Sequence, residues 1–280
     1  MVIFTVFISA LSYFLGEVFL GRGAGVFMLI LGFVFSSVSS ISSFYFSDKM
    51  VLAISGAKKV LRADSPLVYG ILDNLCIGSG LKKIPDLYII DDTAPNAFAT
   101  GRNPEHSVIA VTTGLLQKLT KREIEGVLSH ELSHIRNYDI RLMAITAVLV
   151  GSITLITNFL LRGSFRSNND RKMPALIILI AIVLAILSPI IAELIKLAVS
   201  RNREYLADAS GALLTRDPEG LASALEKISA DQEPLEVANE ATAHMYISNP
   251  LKKGKNADMF AGLFNTHPPV EERIARLKKM

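Results

Sequence analysis

The sequence predicts a mainly α-helical membrane protein with four transmembrane helices and, outside the membrane, an α+β domain with a small sheet. Half of the 280 residues are apolar and the mean hydropathy is +0.39, which is more apolar surface than one soluble domain usually buries. Long, nearly uncharged stretches separate two polar regions, and these regions combine helical periodicity with short β-like runs.

Four stretches are long enough to cross roughly 30 Å of hydrocarbon as helices, which takes about 20 residues. They are Val2 to Leu20, Ala24 to Phe46, Leu142 to Leu161, and Pro174 to Ser200. The first has no basic start and the second follows it at once, so we interpret them as a retained hairpin and not as a signal peptide. The expected divisions are a transmembrane hairpin at 1–47, a polar part at 48–141, a second transmembrane hairpin at 142–200, and a second polar part at 201–280.

Basic residues indicate how the spans are oriented. Only Arg22 lies between the first two spans, whereas Lys49, Lys58, Lys59 and Arg62 follow the second. The positive-inside rule therefore predicts that the amino terminus and the region after Phe46 face the cytoplasm.

The loop between the third and fourth spans disagrees with this orientation. It must be external, yet it contains Arg162, Arg166, Arg171 and Lys172. Either the loop crosses despite its charge, or the last two stretches do not fully span. Their length favours the first interpretation.

Charge and cysteine content exclude several classes. The net charge of +3 is small and no basic stripe interleaved with aromatic residues is present, so we expect no nucleic-acid partner. Cys76 is the single cysteine, which excludes an internal disulfide and a multi-cysteine metal site.

Short β-like runs and a helix start mark the first polar part. The β-like runs are Asp86 to Asp91 and Ser107 to Thr112, around a turn-rich middle. Thr120 followed three residues later by Glu123 is a capping box, which predicts that a helix begins at about Lys121.

That predicted helix contains the sequence H-E-L-S-H. His130 and His134 are four residues apart, so they project from one face and can share a tetrahedral zinc ion, with Glu131 beside it as a general base. The alternative is an amphipathic helix with surface histidines.

A third ligand has to come from elsewhere in the chain. A motif that continues to a Gly and a third His is absent, because those positions hold Asn137 and Ile140. The segment R-E-Y-L-A-D offers Glu204 as a carboxylate ligand, and Asp208 on the same face could orient a ligand histidine. An exposed helical pair is the other interpretation. A helical hairpin with arms of similar length would bring Glu204 back to the height of His134.

Several motifs in the same order resemble the HtpX family of membrane zinc metalloproteases, relatives of the CAAX prenyl proteases within the gluzincin group. Besides H-E-L-S-H and the four apolar stretches, they are N-A-F-A-T-G at 96–101, S-R-N-R-E-Y-L-A-D at 200–208, and T-H-P-P-V-E-E-R at 266–273. The resemblance covers nearly the whole chain.

The resemblance implies a zincin-type domain that binds one Zn²⁺ through His130, His134 and Glu204, with Glu131 as the catalytic acid and base. It also implies a cytoplasm-facing endopeptidase of the plasma or inner membrane. Such an enzyme acts in stress response and protein quality control, on misfolded or damaged membrane proteins at the lipid bilayer.

Two further segments each have two interpretations. Asn96, Ala97 and Phe98 form either an edge strand to which an extended substrate adds, or an ordinary turn and strand end. His267 either reaches the metal site, as an oxyanion donor or a labile fourth ligand, or only begins the final helix.

Two rival functions remain. One is CAAX-type processing of prenylated carboxyl termini, for which four spans are too few to build the large helical chamber of those enzymes. The other is a membrane scaffold with a structural zinc, which would fill all four positions with protein ligands and would not need Glu131.

Overall fold

The computed structural model describes residues 2–147, 200–238, 242–250 and 268–280. Two compact units divide the chain, Met1–Ser47 and Asp48–Met280. Most of the described residues are helical, and a small mixed sheet lies in the second unit.

The first unit is helical. Helix α1 (Val2–Leu15) continues into a π-helical turn at Gly16–Leu20, and α2 (Ala24–Ile54) follows. The carboxylate of Glu17 accepts hydrogen bonds from the backbone N–H groups of Gly23 (3.1 Å) and Gly25 (3.0 Å). These N–H groups belong to the start of α2, which leaves them without partners inside the helix, so a single acidic residue in an apolar stretch stabilises the turn.

Helix α2 contains the one candidate membrane span found among the described residues. The span is Ala24–Ser42, with a mean hydropathy of 2.1. A shorter apolar stretch, Phe4–Val18, lies in α1 and the π-helical turn. Most large apolar side chains of α2 are exposed, for example Phe27, Phe33 and Phe35. Outward apolar side chains are expected where lipid is the solvent. The third and fourth predicted spans lie almost wholly at residues 148–199, outside the described part.

The sheet of the second unit has four described strands in the order β1-β2-β4-β3. They are β1 (Lys58–Lys59), β2 (Asp86–Ile90), β3 (Ala97–Asn103) and β4 (His106–Thr112). Strands β2 and β4 are parallel and the other pairs are antiparallel. Both β-like runs predicted from the sequence are therefore strands, and β3 is an edge of this sheet.

Glycine explains how β3 turns so tightly into β4. Gly101 has a φ of +141°, and a Cβ atom there would lie 2.3 Å from the carbonyl oxygen of His106. Only a residue without a side chain permits this approach, next to the irregular pairing between Gly101 and Asn103.

Helices complete the second unit. They are α3 (Pro66–Ser79), α4 (Thr113–Lys118), α5 (Lys121–Arg136), α6 (described at residues 139–147), α7 (Arg201–Thr215), α8 (Pro218–Ala230) and α9 (Val270–Leu277), with a 3₁₀ turn at Ala243–Met245. The capping box at the start of α5 is present, since Thr120 and Glu123 exchange side-chain and backbone hydrogen bonds.

Helix α5 lies at the centre of the core. Its apolar face, including Val127, Leu128 and Leu132, is fully buried. Two glycines allow close helix contacts: a Cβ atom at Gly126 would lie 2.7 Å from the backbone nitrogen of Leu221 in α8, and one at Gly211 would lie 3.1 Å from the backbone nitrogen of His130. Helix α7 therefore touches α5 at the histidine motif.

Candidate metal centre

Helix α5 places His130, Glu131 and His134 in the interior of the second unit. All three side chains are almost completely buried. The two imidazoles face each other one helical turn apart, and their Nε2 atoms are 3.1 Å apart. A helix with surface histidines, the alternative open from the sequence, does not describe this arrangement.

Glu204 reaches the histidines from the first turn of α7. Its Oε1 atom is 3.4 Å from His134 Nε2, and its Oε2 atom is 3.9 Å from His130 Nε2. Ligands bound at about 2.0 to 2.2 Å in a tetrahedron lie roughly 3.3 to 3.6 Å apart, so the spacing suits one small cation. This group of three could hold a metal ion.

Carboxylates occupy the other side of both imidazoles. Asp208 Oδ1 lies 2.9 Å from His130 Nδ1, and Asp139 Oδ2 lies 3.1 Å from His134 Nδ1. A carboxylate only accepts, so each Nδ1 donates, and when both rings are neutral each presents its Nε2 lone pair to the other. Two lone pairs 3.1 Å apart repel unless a proton or a metal ion lies between them. The donor set therefore fits a metal ion.

Each of these two aspartates is also bound by an arginine. Arg273, from α9, donates to both oxygens of Asp208 at 2.8 and 2.7 Å and is itself fully buried. Arg203, from α7, donates to Asp139 Oδ1 at 2.7 Å. Asp139, Arg203 and Arg273 are site residues that the sequence does not predict, because none of them has a spacing that points to the histidine motif.

Buried charges shift the pKa values of the site. Burial lowers the pKa of His134, but Asp139 and Glu204 outweigh it and raise that pKa to about 10. The pocket thus stabilises positive charge at His134, which a proton or a metal ion can supply. Burial raises the pKa of Asp208, yet Arg273 and His130 bring it down to about 2, so this carboxylate stays ionised.

Glu131 faces a different environment. Burial raises its pKa to about 7, with Glu204 adding to the effect and His134 opposing it, and the backbone N–H of Ala99 donates a hydrogen bond to its carboxylate. A group with a pKa near neutrality is suited to accept and return a proton at neutral pH.

The chain's own residues already contact the predicted substrate edge. The backbone N–H of Ile247 donates to the Ala97 carbonyl at 2.9 Å, and Asn96 Nδ2 donates to the Ser248 carbonyl at 3.1 Å. Phe98 is fully buried and packs edge-on against Tyr246. Residues 246–248 therefore cover β3 at Ala97 in this structure. His267 lies outside the described residues, and both of its predicted roles stay predictions.

Comparison with known proteins identifies the family. Residues 67–280 match Peptidase family M48. The chain belongs to that family. It is a metalloprotease, a hydrolase that acts on polypeptide substrates, and M48 metalloproteases are in general zinc-dependent.

Curated relatives of the M48 chain carry the description "Protease HtpX homolog". Those from Tropheryma whipplei (strain Twist) and Syntrophobacter fumaroxidans are 45% and 46% identical to it, over 94% and 93% of the chain and 87% and 92% of the relative. The one from Dictyoglomus thermophilum is 42% identical over 99% of the chain and 88% of the relative. The predicted resemblance to the HtpX family is therefore confirmed, and with it a metalloprotease of the membrane.

A solved structure shares the fold of this M48 protease. It is the crystal structure of S. mikatae Ste24p, which matches with a TM-score of 0.52 at 19% identity. The match covers 98% of this chain and 62% of the Ste24p chain.

Proposed function

We propose that this chain is a zinc-dependent endopeptidase in which His130, His134 and Glu204 bind one Zn²⁺ ion and Glu131 is the catalytic acid and base. The observation that carries the proposal is the convergence of three buried donor atoms while both Nδ1 atoms are already hydrogen-bonded to carboxylates. When bound, zinc supplies Lewis-acid polarisation of the scissile carbonyl and of water.

The protein residues supply the proton transfers. Glu131 takes the proton of the attacking water and returns it to the leaving amine, so no covalent intermediate with the enzyme forms. The N–H of Ala99 orients its carboxylate. Asp208 keeps the His130 imidazole in the tautomer that leaves Nε2 unprotonated.

Strand β3 supports binding of an extended substrate beside Glu131. It is one of the two edge strands of the described sheet, and Ala99 directs its N–H toward Glu131. Since Ile247 occupies the Ala97 carbonyl, a substrate that pairs with Asn96 to Phe98 has to displace residues 246–248.

Membrane placement completes the proposal. We propose two transmembrane hairpins, at 1–47 and 142–200, and a single protease domain built from 48–141 and 201–280 that faces the cytoplasm. The candidate span at Ala24–Ser42 and the basic residues after it support this orientation. We further propose that the substrates are misfolded or damaged membrane proteins, a role that is consistent with membership of the HtpX family.

Cysteine labelling tests the orientation. In a Cys76→Ser background, Lys58→Cys should react with a membrane-impermeant maleimide only after the cells are opened, since Lys58 is exposed in the second unit. Ser167→Cys, between the third and fourth stretches, should react in intact cells. Protection of Ser167→Cys in intact cells would contradict the four-span arrangement.

A matched pair of variants tests the activity. Detergent-solubilised wild-type protein loaded with zinc should cleave casein or itself, and Glu131→Gln should abolish cleavage while keeping its zinc. Glu125→Gln, on the same helix, should remain active. Equal cleavage by Glu131→Gln would refute the role of Glu131, and absence of cleavage by all three proteins would favour a scaffold with structural zinc.

A further inference from the structure

We infer that Asp139 is a positioning residue that holds His134 for the metal and that, through Arg203, fixes His134 to the helix that carries Glu204. The inference rests on the proposed zinc site. It concerns two residues that have no role in that proposal as ligands or proton carriers.

The geometry of Asp139 is that of a two-sided bridge. It is buried, one carboxylate oxygen accepts from His134 Nδ1 at 3.1 Å, and the other accepts from Arg203 Nη1 at 2.7 Å. Both oxygens are thus engaged, and the imidazole can neither rotate nor change tautomer without breaking one of these bonds.

A break in the helix makes this bridge possible. In an unbroken helix, Asp139 would lie five positions after His134 and therefore about 140° around the axis, pointing away from it. Helix α5 instead ends at Arg136, and Tyr138 takes a left-handed conformation with a φ of 61°. Such a backbone is costly for a residue with a side chain, and here it returns Asp139 to the ring of His134.

Arg203 makes the bridge specific to this site. It immediately precedes Glu204 in the first turn of α7, so two consecutive residues face the site, Arg203 at Asp139 and Glu204 at the Nε2 atoms of the two histidines. A shift of α7 would disturb both contacts together. Asp139 also begins α6, which precedes residue 148, and Arg203 lies just after Ser200. The pair therefore joins the two described segments on either side of residues 148–199.

Zinc affinity of the full-length protein in detergent tests this role. Asp139→Asn keeps the shape of the side chain but removes its charge, and it should weaken zinc binding about tenfold or more, as loss of a partner to a ligand histidine generally does. Asp139→Glu restores the charge and should recover part of the affinity. Competition with a fluorescent zinc chelator measures both dissociation constants.

The matched control is Asp73→Asn. Asp73 also binds an arginine, Arg62, which donates to its two oxygens at 2.6 and 2.8 Å, but this pair is separate from the metal site. The zinc affinity of Asp73→Asn should stay within about twofold of wild type. The thermal midpoint of each metal-free protein separates a positioning role from a general loss of structure, because a positioning role predicts weaker zinc binding without a matching drop in that midpoint.

Two outcomes decide the inference. Zinc binding by Asp139→Asn within twofold of wild type overturns it. If Asp139→Asn fails to fold, Arg203→Met replaces it, where a weaker zinc affinity supports the inference and an unchanged one overturns it. His134→Asn distinguishes failure of the Asp139 inference from failure of the proposed function. Zinc binding that survives His134→Asn refutes the ligand set itself.

Discussion

The two histidines of the candidate metal centre have the same chemical support but different surroundings. His130 is supported by Asp208 and Arg273, and His134 by Asp139 and Arg203. The side chain of Arg273 is 2% exposed, whereas that of Arg203 is 38% exposed. Both aspartates are buried. The Asp208–Arg273 pair is therefore fully removed from water. Solvent reaches the Asp139–Arg203 pair through its partly exposed arginine and screens it.

This difference teaches that similar contacts need not contribute equally to stability. Breaking a fully buried ion pair leaves a charge with no solvent to compensate it, whereas water can replace a half-exposed partner. Arg273 also joins elements distant in sequence, because it donates to the Ile247 carbonyl beside β3 as well as to Asp208. We therefore expect Arg273 to stabilise the fold and Arg203 chiefly to position the metal site.

The largest effect is expected for Arg273→Met. It leaves Asp208 buried and ionised without its charged partner, with only His130 still donating to it, and should lower the free energy of unfolding by about 3 to 5 kcal/mol. Chemical denaturation in detergent measures it. The control is Arg62→Met, which breaks an exposed pair with Asp73 and should cost less than about 1 kcal/mol. Equal losses in the two variants would remove the basis of the comparison.

An intermediate effect is expected at the start of α5. Glu123 is buried and its partner Lys227 is half-exposed, as in the Asp139–Arg203 pair. Burial raises the pKa of Glu123, but Lys227, Ser223 and Thr120 outweigh it and lower the pKa to about 2. Glu123→Gln should lower the free energy of unfolding by about 2 kcal/mol at neutral pH.

The pH dependence of that effect has a definite sign. A lowered pKa in the folded state stabilises fully above the unfolded value of about 4.5 and is lost as the pH falls toward about 2. The difference between wild type and Glu123→Gln should therefore be constant from pH 7 to 5 and clearly smaller at pH 3. Glu125→Gln is the control. A stability difference between wild type and Glu123→Gln that does not shrink at pH 3 would contradict the lowered pKa of Glu123.

The smallest effect is expected for Arg203→Met. Its side chain is half-exposed, so water can reach the position that it leaves beside Asp139. The free energy of unfolding should fall by no more than about 1 kcal/mol. A loss as large as that of Arg273→Met, measured in the same denaturation experiment, would show that exposure does not separate the two pairs.

Local motifs explain what could be predicted from sequence. His130 and His134 are related by the helical period alone, and Thr120 with Glu123 by the capping box, so both signals lie within one turn. Glu204 required a tertiary argument, since about seventy residues separate it from His134. The structure places it within 3.4 Å of His134 Nε2.

The residues that sequence reasoning missed depend on backbone geometry and long-range contact. Asp139 is on the wrong face of an ideal helix and contacts His134 only because of the left-handed Tyr138. Arg273 comes from the last helix, and the motif that ends on it, T-H-P-P-V-E-E-R, does not by itself show a contact with Asp208. For strand β3 the sequence left two interpretations, an edge strand or a turn and strand end, because Gly101 and Asn103 signal a turn. Pairing with β4 decides for the strand.

X-ray absorption at the zinc edge tests the central claim most directly. For zinc-loaded wild-type protein with one zinc per chain, the account predicts two imidazole nitrogens and oxygen ligands at about 2.0 to 2.2 Å, and loss of an imidazole contribution in His134→Asn. A sulfur ligand at about 2.3 Å, which only Cys76 or a methionine could supply, or a spectrum without imidazole, would contradict the assignment of His130, His134 and Glu204.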